Sequence, residues 1–165
     1  MNNIIKIILF FFFVSVMRAG DIKEGVSAPL FTGMSKDGQA IKLENYRGKV
    51  VILDFWASWC GPCQHEFPFL IDIQNKIRDT NYVILAVNID KKISDAEKFI
   101  NKLDNKPSFP VIFDEKSKIP PLYQLETMPS TFFIDKKGII RYIHNGFTDS
   151  YKASYQKELN DLLKD

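Results

Sequence analysis

The two cysteines of the chain, Cys60 and Cys63, are separated by Gly61 and Pro62 and follow an apolar run. Two thiols at this spacing can exchange a disulfide with another protein or supply two of the four ligands of a zinc ion. Pro62 suits the first turn of a helix, because its missing N–H loses no hydrogen bond there. We therefore place Cys60 at or just before a helix N-terminus and Cys63 one turn further in.

This position predicts different roles for the two thiols. The thiolate is the nucleophile, and the free amides and positive dipole of a helix N-terminus lower the pKa of a cysteine there. Cys60 is therefore predicted to attack a partner disulfide, and Cys63 to resolve the resulting mixed disulfide. A zinc site would also need His65 and His144, and His65 lies on the same helix as the cysteines. We expect no metal and no cofactor beyond a redox-active Cys60–Cys63 disulfide.

The apolar run before the cysteines, residues 50–56, is rich in β-branched and aromatic residues and predicts a buried central strand. It contains one charged residue, Asp54. A carboxyl group in an apolar strand should have a raised pKa and could exchange protons near neutral pH. The alternative is a strand-end aspartate that is bonded to the backbone.

The segment from Asp54 to Cys63 resembles the active-site segment of the thioredoxin superfamily in its strand, its tryptophans, its cysteine spacing and its Gly-Pro pair. In that superfamily the acidic residue six positions before the first cysteine lies behind the pair and moves the proton of the resolving cysteine. The resemblance gives this role to Asp54. It also implies that Trp59, Gly61 and Pro62 border the disulfide and contact the substrate.

Met128 and Pro129 precede a second run of β-branched and aromatic residues. A strand can begin after a proline but cannot contain one internally, and X-Pro bonds alone have an accessible cis form. The thioredoxin fold has a cis-proline here that faces the cysteine pair, and the residue before it pairs with substrate backbone. The resemblance therefore predicts substrate binding at Met128 and Pro129, by a short β-augmentation of broad specificity. The alternative is an ordinary trans-proline.

Residues 60–68, which include Glu66, are similar to the Cys-x-x-Cys-x-x-Glu-Phe-Pro pattern of the exported TlpA/ResA-like branch of the superfamily. In that branch the glutamate is implicated in tuning the active site, so Glu66 is a fourth candidate catalytic residue. Glu66 lies three residues after Cys63 and so on the same helix face. The alternative is a solvated helix glutamate.

The remaining patterns predict a thioredoxin-like α/β fold: a central mixed β-sheet with helices on both faces, an N-terminal β-hairpin and a central insertion over residues 90–124. The last two features are similar to the same branch. Ser94 and Glu97 form a capping box that should open a helix. The predicted elements are a hairpin within Leu30–Leu43, a helix from Cys60 to about Asp79, a strand over Tyr82–Asn88, an edge strand over Ile139–Phe147 and a last helix to about Leu163.

Composition predicts one globular domain: 165 residues are 45% hydrophobic and 25% charged. The formal net charge is +2, and Lys6 and Arg18 are the only charged residues among the first 20. Removing these two from the 22 basic residues leaves 20, against 20 acidic ones. This balance gives no electrostatic footprint for nucleic acid.

Residues 1–20 predict a signal peptide or an uncleaved N-terminal membrane anchor, and residues 21–165 the thioredoxin-like domain. The apolar run Ile7–Met17 follows Lys6 and precedes Arg18, and it is shorter than the roughly 20 residues of a membrane span. Met17 makes the cleavage site imperfect. We expect an exported protein in the periplasm or another extracytoplasmic space, where disulfides persist, touching the membrane only through residues 1–20 if these are retained.

The resemblance implies a monomeric protein-disulfide oxidoreductase that acts on protein thiols and disulfides. TlpA/ResA-like proteins are typically reductants, often of apocytochrome c in cytochrome c maturation, and would draw electrons from a membrane thiol transporter. Gly61-Pro62 is also the dipeptide of reducing thioredoxins. Three alternatives stay open: a disulfide-donating oxidant, a peroxiredoxin-like peroxidase and a non-catalytic client-binding module. The peroxidase would need a Thr-x-x-Cys setting, which Cys60 lacks.

Overall fold

The structure is a computed structural model that describes residues 20–165. The export segment predicted over residues 1–20 lies, but for Gly20, outside the described residues. None of the helices in the described range is long and apolar enough to cross a membrane.

Strands and helices of the described chain occur close to the predicted places. The strands are β1 (Thr32–Met34), β2 (Ala40–Lys42), β3 (Val50–Trp56), β4 (Tyr82–Asn88), β5 (Val111–Phe113), β6 (Ser130–Ile134) and β7 (Ile140–Asn145). The helices are α1 (Gly61–Lys76), α2 (Ile93–Lys102), α3 (Tyr151–Lys164) and two short 3-10 helices, Leu43–Tyr46 and Pro120–Tyr123. Strands β3 and β4 have the predicted bounds, whereas α1 ends at Lys76, three residues before the predicted Asp79.

Strands β3 to β7 form one mixed sheet in the order β5-β4-β3-β6-β7. Strands β3, β4 and β5 are parallel, and β6 and β7 are antiparallel to their neighbours. The hairpin β1–β2 forms a separate small sheet, joined to β5 by a bridge between Ser35 and Ile112. Strand β3 is the centre of the sheet and is buried along its whole length. The segment that leads to the cysteines is therefore the central strand of the sheet, which has a paired strand on each side.

The central sheet separates two apolar clusters, because successive side chains of β3 point to opposite faces. The helical face consists of every second residue of β3 with the buried sides of α1, α2 and α3: Val50, Ile52, Trp56, Phe67, Leu70, Ala96, Phe133, Tyr155 and Leu159. The hairpin face consists of the alternate residues with the hairpin and the 3-10 helices: Phe31, Ile41, Leu43, Val51, Leu53, Phe55, Tyr123 and Phe132. Helices thus flank the sheet as predicted, but those on the hairpin face are single 3-10 turns.

This asymmetry follows from the topology. The chain moves in one direction across the sheet from β3 through β4 to β5. Parallel crossovers are right-handed, so two successive crossovers in the same direction place their helices, α1 and α2, on the same face.

The predicted capping box of α2 is wrong. The helix begins at Ile93 after an N-cap, Lys92, whose side chain makes no capping bond. Glu97 instead lies 2.9 Å from Lys36 Nζ of the hairpin. A contact between two elements replaces the local bond that the spacing had indicated.

Candidate active site

The cysteine pair lies where the spacing placed it, at the start of α1. Cys60 and Cys63 form a disulfide, and Cys60 is the N-cap of the helix, with its Sγ accepting a hydrogen bond from the Cys63 N–H at 3.3 Å. Pro62 occupies the first turn. Cys60 retains 5% exposure and Cys63 only 1%. Cys60 is thus the more accessible residue of the two, and its sulfur is the one that receives an N–H donor of the helix.

Three of the predicted substrate-contacting residues lie at the surface beside Cys60. The Trp59 side chain is 66% exposed, although large apolar residues of this chain are mostly buried. Gly61 and Pro62 are also exposed. Together they form an accessible border around the disulfide.

The Met128–Pro129 peptide bond is cis, as the resemblance implied. It directly precedes β6, whose Ser130 and Thr131 pair with Phe55 and Asp54 at the end of β3 that leads to the cysteines. Among the described residues the Met128 backbone has no hydrogen-bond partner, whereas the Pro129 carbonyl accepts a bond from the Gly146 N–H at 2.7 Å. The Met128 backbone is therefore available to a bound polypeptide.

Asp54 lies in the interior of the helical face and is 1% exposed. Neither of its carboxylate oxygens has a hydrogen-bond partner among the described residues, so the alternative of a backbone-bonded aspartate is wrong. Burial raises the pKa of the Asp54 carboxyl well above its usual range, and the nearby charge of Glu66 raises it further. The Asp54 carboxyl therefore releases its proton less readily than an exposed aspartate does.

Glu66 is equally buried, at 1% exposure, so the alternative of a solvated helix residue is also wrong. Its Oε1 accepts hydrogen bonds from Thr131 Oγ1 and from the Tyr155 hydroxyl, both at 2.6 Å. Burial raises the pKa of Glu66 to about 7, and these two hydrogen bonds oppose the rise. The two acids thus differ: Glu66 has donors that stabilise its anion, and Asp54 has none.

Sequence reasoning did not identify the partners of Glu66. Tyr155 belongs to α3, and no local pattern connects it with α1. Thr131 had one signal in the sequence, its place two residues after Pro129, and the structure adds that it lies opposite Asp54 in the β3–β6 register. A third residue that was missed is Asp90, which is 2% exposed and accepts hydrogen bonds from Ser58 in the active-site loop. Asp90 could have been found from its position in the sequence, just beyond the carboxyl end of the predicted parallel strand β4.

The two histidines lie outside this arrangement. His65 is exposed on α1, and His144 Nε2 on β7 contacts Glu158 Oε2 at 2.7 Å. Within the described range no three His, Cys, Asp or Glu side chains converge as metal ligands would.

Comparisons with known proteins agree with this geometry. The model of the AhpC/TSA family matches residues 25–143. Thiol-disulfide oxidoreductase ResA of Geobacillus thermodenitrificans is 34% identical over 122 residues, which cover 74% of this chain and 69% of that protein.

Two solved structures are similar over most of the described range. A proposed thiol:disulfide interchange protein DsbE of Chlorobium tepidum is 38% identical with a TM-score of 0.81, and the match covers 87% of this chain and 99% of that one. The exposed lipoprotein thioredoxin Etrx1 of Streptococcus pneumoniae is 31% identical with a TM-score of 0.69, covering 81% and 100%. A disulfide at a helix N-terminus, a cis-proline beside the same strand and these relatives together lead to one conclusion: the chain belongs to the thioredoxin-like AhpC/TSA family and is a thiol-disulfide oxidoreductase of the ResA/DsbE type.

Proposed function

We propose that the protein reduces disulfides of other proteins in an extracytoplasmic space, by dithiol-disulfide exchange at Cys60 and Cys63. The observation that carries the proposal is the cysteine pair itself. Cys60 is the N-cap of α1 and retains 5% exposure, whereas Cys63 retains 1%. This order suits a more accessible attacking thiol and a protected resolving one.

The reaction begins with the reduced protein. The Cys60 thiolate attacks one sulfur of the partner disulfide, forming a mixed disulfide and releasing the other partner sulfur as a thiolate, which takes a proton from water. Cys63 then loses its proton and attacks Cys60 Sγ. The partner leaves as a dithiol, the Cys60–Cys63 disulfide forms, and two electrons have passed to the partner.

Asp54 is the proposed acceptor of the Cys63 proton. Its raised pKa makes the Asp54 carboxylate a stronger base than an exposed one, and it has no hydrogen-bond donor to compete with the incoming proton. Glu66 acts on the same site through its charge, which raises the pKa of Asp54. Both residues are thus proposed parts of the catalytic site.

Substrate binding is proposed at the exposed border of the disulfide. The unpaired Met128 backbone next to Pro129 can form strand-like backbone hydrogen bonds with a bound polypeptide. Trp59, Gly61 and Pro62 supply apolar contact. Recognition through backbone requires little of the partner's sequence. We therefore expect several client proteins.

The location and the partners are part of the proposal. The signal-like residues 1–20, and the exposed lipoprotein among the relatives, favour an exported domain over residues 21–165, released or held at the membrane by its N-terminus. There the dithiol needs an electron supply, for which a membrane thiol transporter is the proposed donor. Apocytochrome c is one proposed client.

The equilibrium reduction potential of the Cys60–Cys63 pair, measured against glutathione and dithiothreitol buffers, tests the direction of electron flow. We expect a value near that of thioredoxin, about −270 mV. A value near about −120 mV, that of strong disulfide donors, would contradict the proposal and favour the oxidant. Peroxide turnover without an added thiol partner would favour the peroxidase, and full client activity with both cysteines replaced by serine would favour the binding module.

A further inference from the structure

The loop that carries Cys60 is bonded to the loop that follows β4. The two parallel strands β3 and β4 end at the same edge of the sheet, and the Ile89 N–H donates to the Trp56 carbonyl at 3.1 Å. Beyond this bond the first loop continues through Ser58 to Cys60, and the second through Ile89 to Asp90. The second loop thus lies against the chain that enters α1.

Ser58 is fixed at every polar group that it has. Its N–H donates to Asp90 Oδ2 and its hydroxyl donates to Asp90 Oδ1, both at 3.0 Å. Its carbonyl accepts a hydrogen bond from Gln64 Nε2 of α1 at 2.7 Å. A residue two positions before the attacking cysteine is therefore fixed from the sheet edge on one side and from the helix on the other.

Asp90 is itself oriented. Asn88 Nδ2 donates to Asp90 Oδ2 at 2.7 Å, and the Asp90 N–H donates to Asn88 Oδ1 at 3.1 Å. Asp90 is 2% exposed and forms no ion pair with a lysine or arginine in the described part of the chain. A buried carboxylate is costly unless hydrogen bonds compensate it, and here the compensating donors are those of Ser58 and Asn88.

We propose that Asp90 is a positioning residue for the exchange reaction, which holds Ser58 and thereby keeps Cys60 at the N-cap of α1. The inference rests on the proposed role of Cys60 as the attacking thiol. Only Trp59 separates Ser58 from Cys60, so the bonds to Asp90 set the direction in which the chain enters the helix. At the N-cap the Cys60 sulfur receives the Cys63 N–H and the field of the helix end, which stabilise its thiolate.

Three variants test this, each in the full chain with Cys63→Ser so that only the Cys60 thiol titrates. Asp90→Ala removes the carboxylate and with it the three hydrogen bonds that Ser58 and Asn88 donate to it. Ser58→Ala removes only the hydroxyl bond and keeps the charge of Asp90. Asp114→Ala is the matched control: Asp114 is also buried and accepts backbone N–H bonds from Lys118 and Ile119, at 3.0 and 2.7 Å, but it holds a different loop.

Two readouts are taken: the thiolate absorbance of Cys60 against pH, and the rate at which Cys60 attacks a small aromatic disulfide at pH 7. We expect Asp90→Ala to raise the pKa of Cys60 by about one unit and to slow attack about tenfold. Ser58→Ala should change both in the same direction by less, and Asp114→Ala should change neither. Asp95, Lys98 and Lys102 of α2, which line a groove of about 440 Å³ with Ser58 and Gln64, are unchanged in all three variants.

Two results would overturn the inference. A lower Cys60 pKa in Asp90→Ala with no change in Ser58→Ala would mean that Asp90 acts by its charge alone. Equal changes in Asp90→Ala and Asp114→Ala would mean a general loss of stability, and if Asp90→Ala does not fold, Ser58→Ala decides by itself. Failure of the underlying function is separate: the Cys63→Ser parent would then form no mixed disulfide with a protein substrate at all.

Discussion

The two faces of the central sheet are built from alternate residues of the same strands, yet they bury different chemistry. The hairpin face packs aromatic rings: Phe55, Tyr123 and Phe132 lie with ring centroids 5.0 to 5.9 Å apart. The one hydroxyl of that group is satisfied, because Tyr123 donates to the Pro29 carbonyl at 2.7 Å. The helical face carries the disulfide, Asp54 and Glu66 in its interior.

Buried polar atoms without a hydrogen-bond partner also distinguish the two faces of the sheet. In the described part of the chain, the buried side-chain nitrogen and oxygen atoms without a partner are both Asp54 oxygens, Trp56 Nε1 and Glu66 Oε2, and all three residues lie on the helical face. Each such atom costs stability, of the order of 1–3 kcal/mol when neutral. Among the described residues this cost falls only on the helical face, which also carries the cysteine pair.

Loss of either sulfur should abolish turnover, which is the largest effect expected on the helical face. Cys63→Ser should accumulate mixed disulfides through Cys60, because the resolving thiol is missing, whereas Cys60→Ser should accumulate none. Non-reducing gels after incubation of the reduced variants with a disulfide-containing protein measure both. If Cys60→Ser traps partners as well as Cys63→Ser does, the assignment of the two roles is wrong.

Phe132→Ala should lower the free energy of unfolding by about 3–5 kcal/mol and leave the reduction potential unchanged. Phe132 is 2% exposed and packs only on the hairpin face. Its neighbour Thr131, on the other face, gives the matched variant. Thr131→Val keeps the shape, removes one donor to Glu66, and should cost about 1 kcal/mol while altering the pH dependence of the exchange reaction.

Denaturant unfolding, redox titration and the exchange rate measured against pH, each for both variants, check this contrast. A changed potential in Phe132→Ala, or an unchanged pH profile in Thr131→Val, would break the distinction between the two faces.

Asp54→Asn should slow resolution of the mixed disulfide on the order of 10²-fold and slow the initial attack by much less. The amide cannot accept the Cys63 proton, whereas Cys60 lies at the helix N-terminus and needs no base within the sheet. Rapid mixing with a protein disulfide, followed by acid quenching, separates the two steps. Equal slowing of both would reduce Asp54 to a structural residue.

The pH dependence of stability should show the burial of Glu66. Its pKa is about 7 in the folded protein against an ordinary value of 4.5, so between these values the folded protein binds more protons than the unfolded chain. The contribution of Glu66 to the free energy of unfolding is therefore complete below about pH 4.5 and is lost as the pH rises through about 7. This contribution is about 3 kcal/mol at most.

The measurement compares the free energy of unfolding of two proteins, Asp54→Asn and the double variant Asp54→Asn with Glu66→Gln. In this background Glu66 is the only one of the two acids that titrates. The difference in free energy of unfolding should change between pH 4.5 and 7 and be flat above. A constant difference over this range would mean that Glu66 is not held in an apolar environment.

Local sequence patterns determined much of the secondary structure of this protein and the position of its cysteine pair. The cysteine spacing with Pro62 predicted the N-cap position, because capping and proline geometry act within one helical turn. Apolar runs predicted β3 and β4 to the residue, because a strand buried on both faces is apolar along most of its length. The failures were also local: the capping box of α2 was satisfied by spacing but overridden by the contact between Glu97 and Lys36.

Only the tertiary structure decided the environments of the acids. Glu66 is bonded to residues 65 and 89 positions away, and Ser58 to an aspartate 32 positions away. Such distances leave no periodic trace in a sequence. Whether a carboxyl is solvated, paired or isolated depends on what the fold packs against it, and for Asp54 and Glu66 that packing sets the pKa and hence the chemistry that the cysteine pattern alone could only suggest.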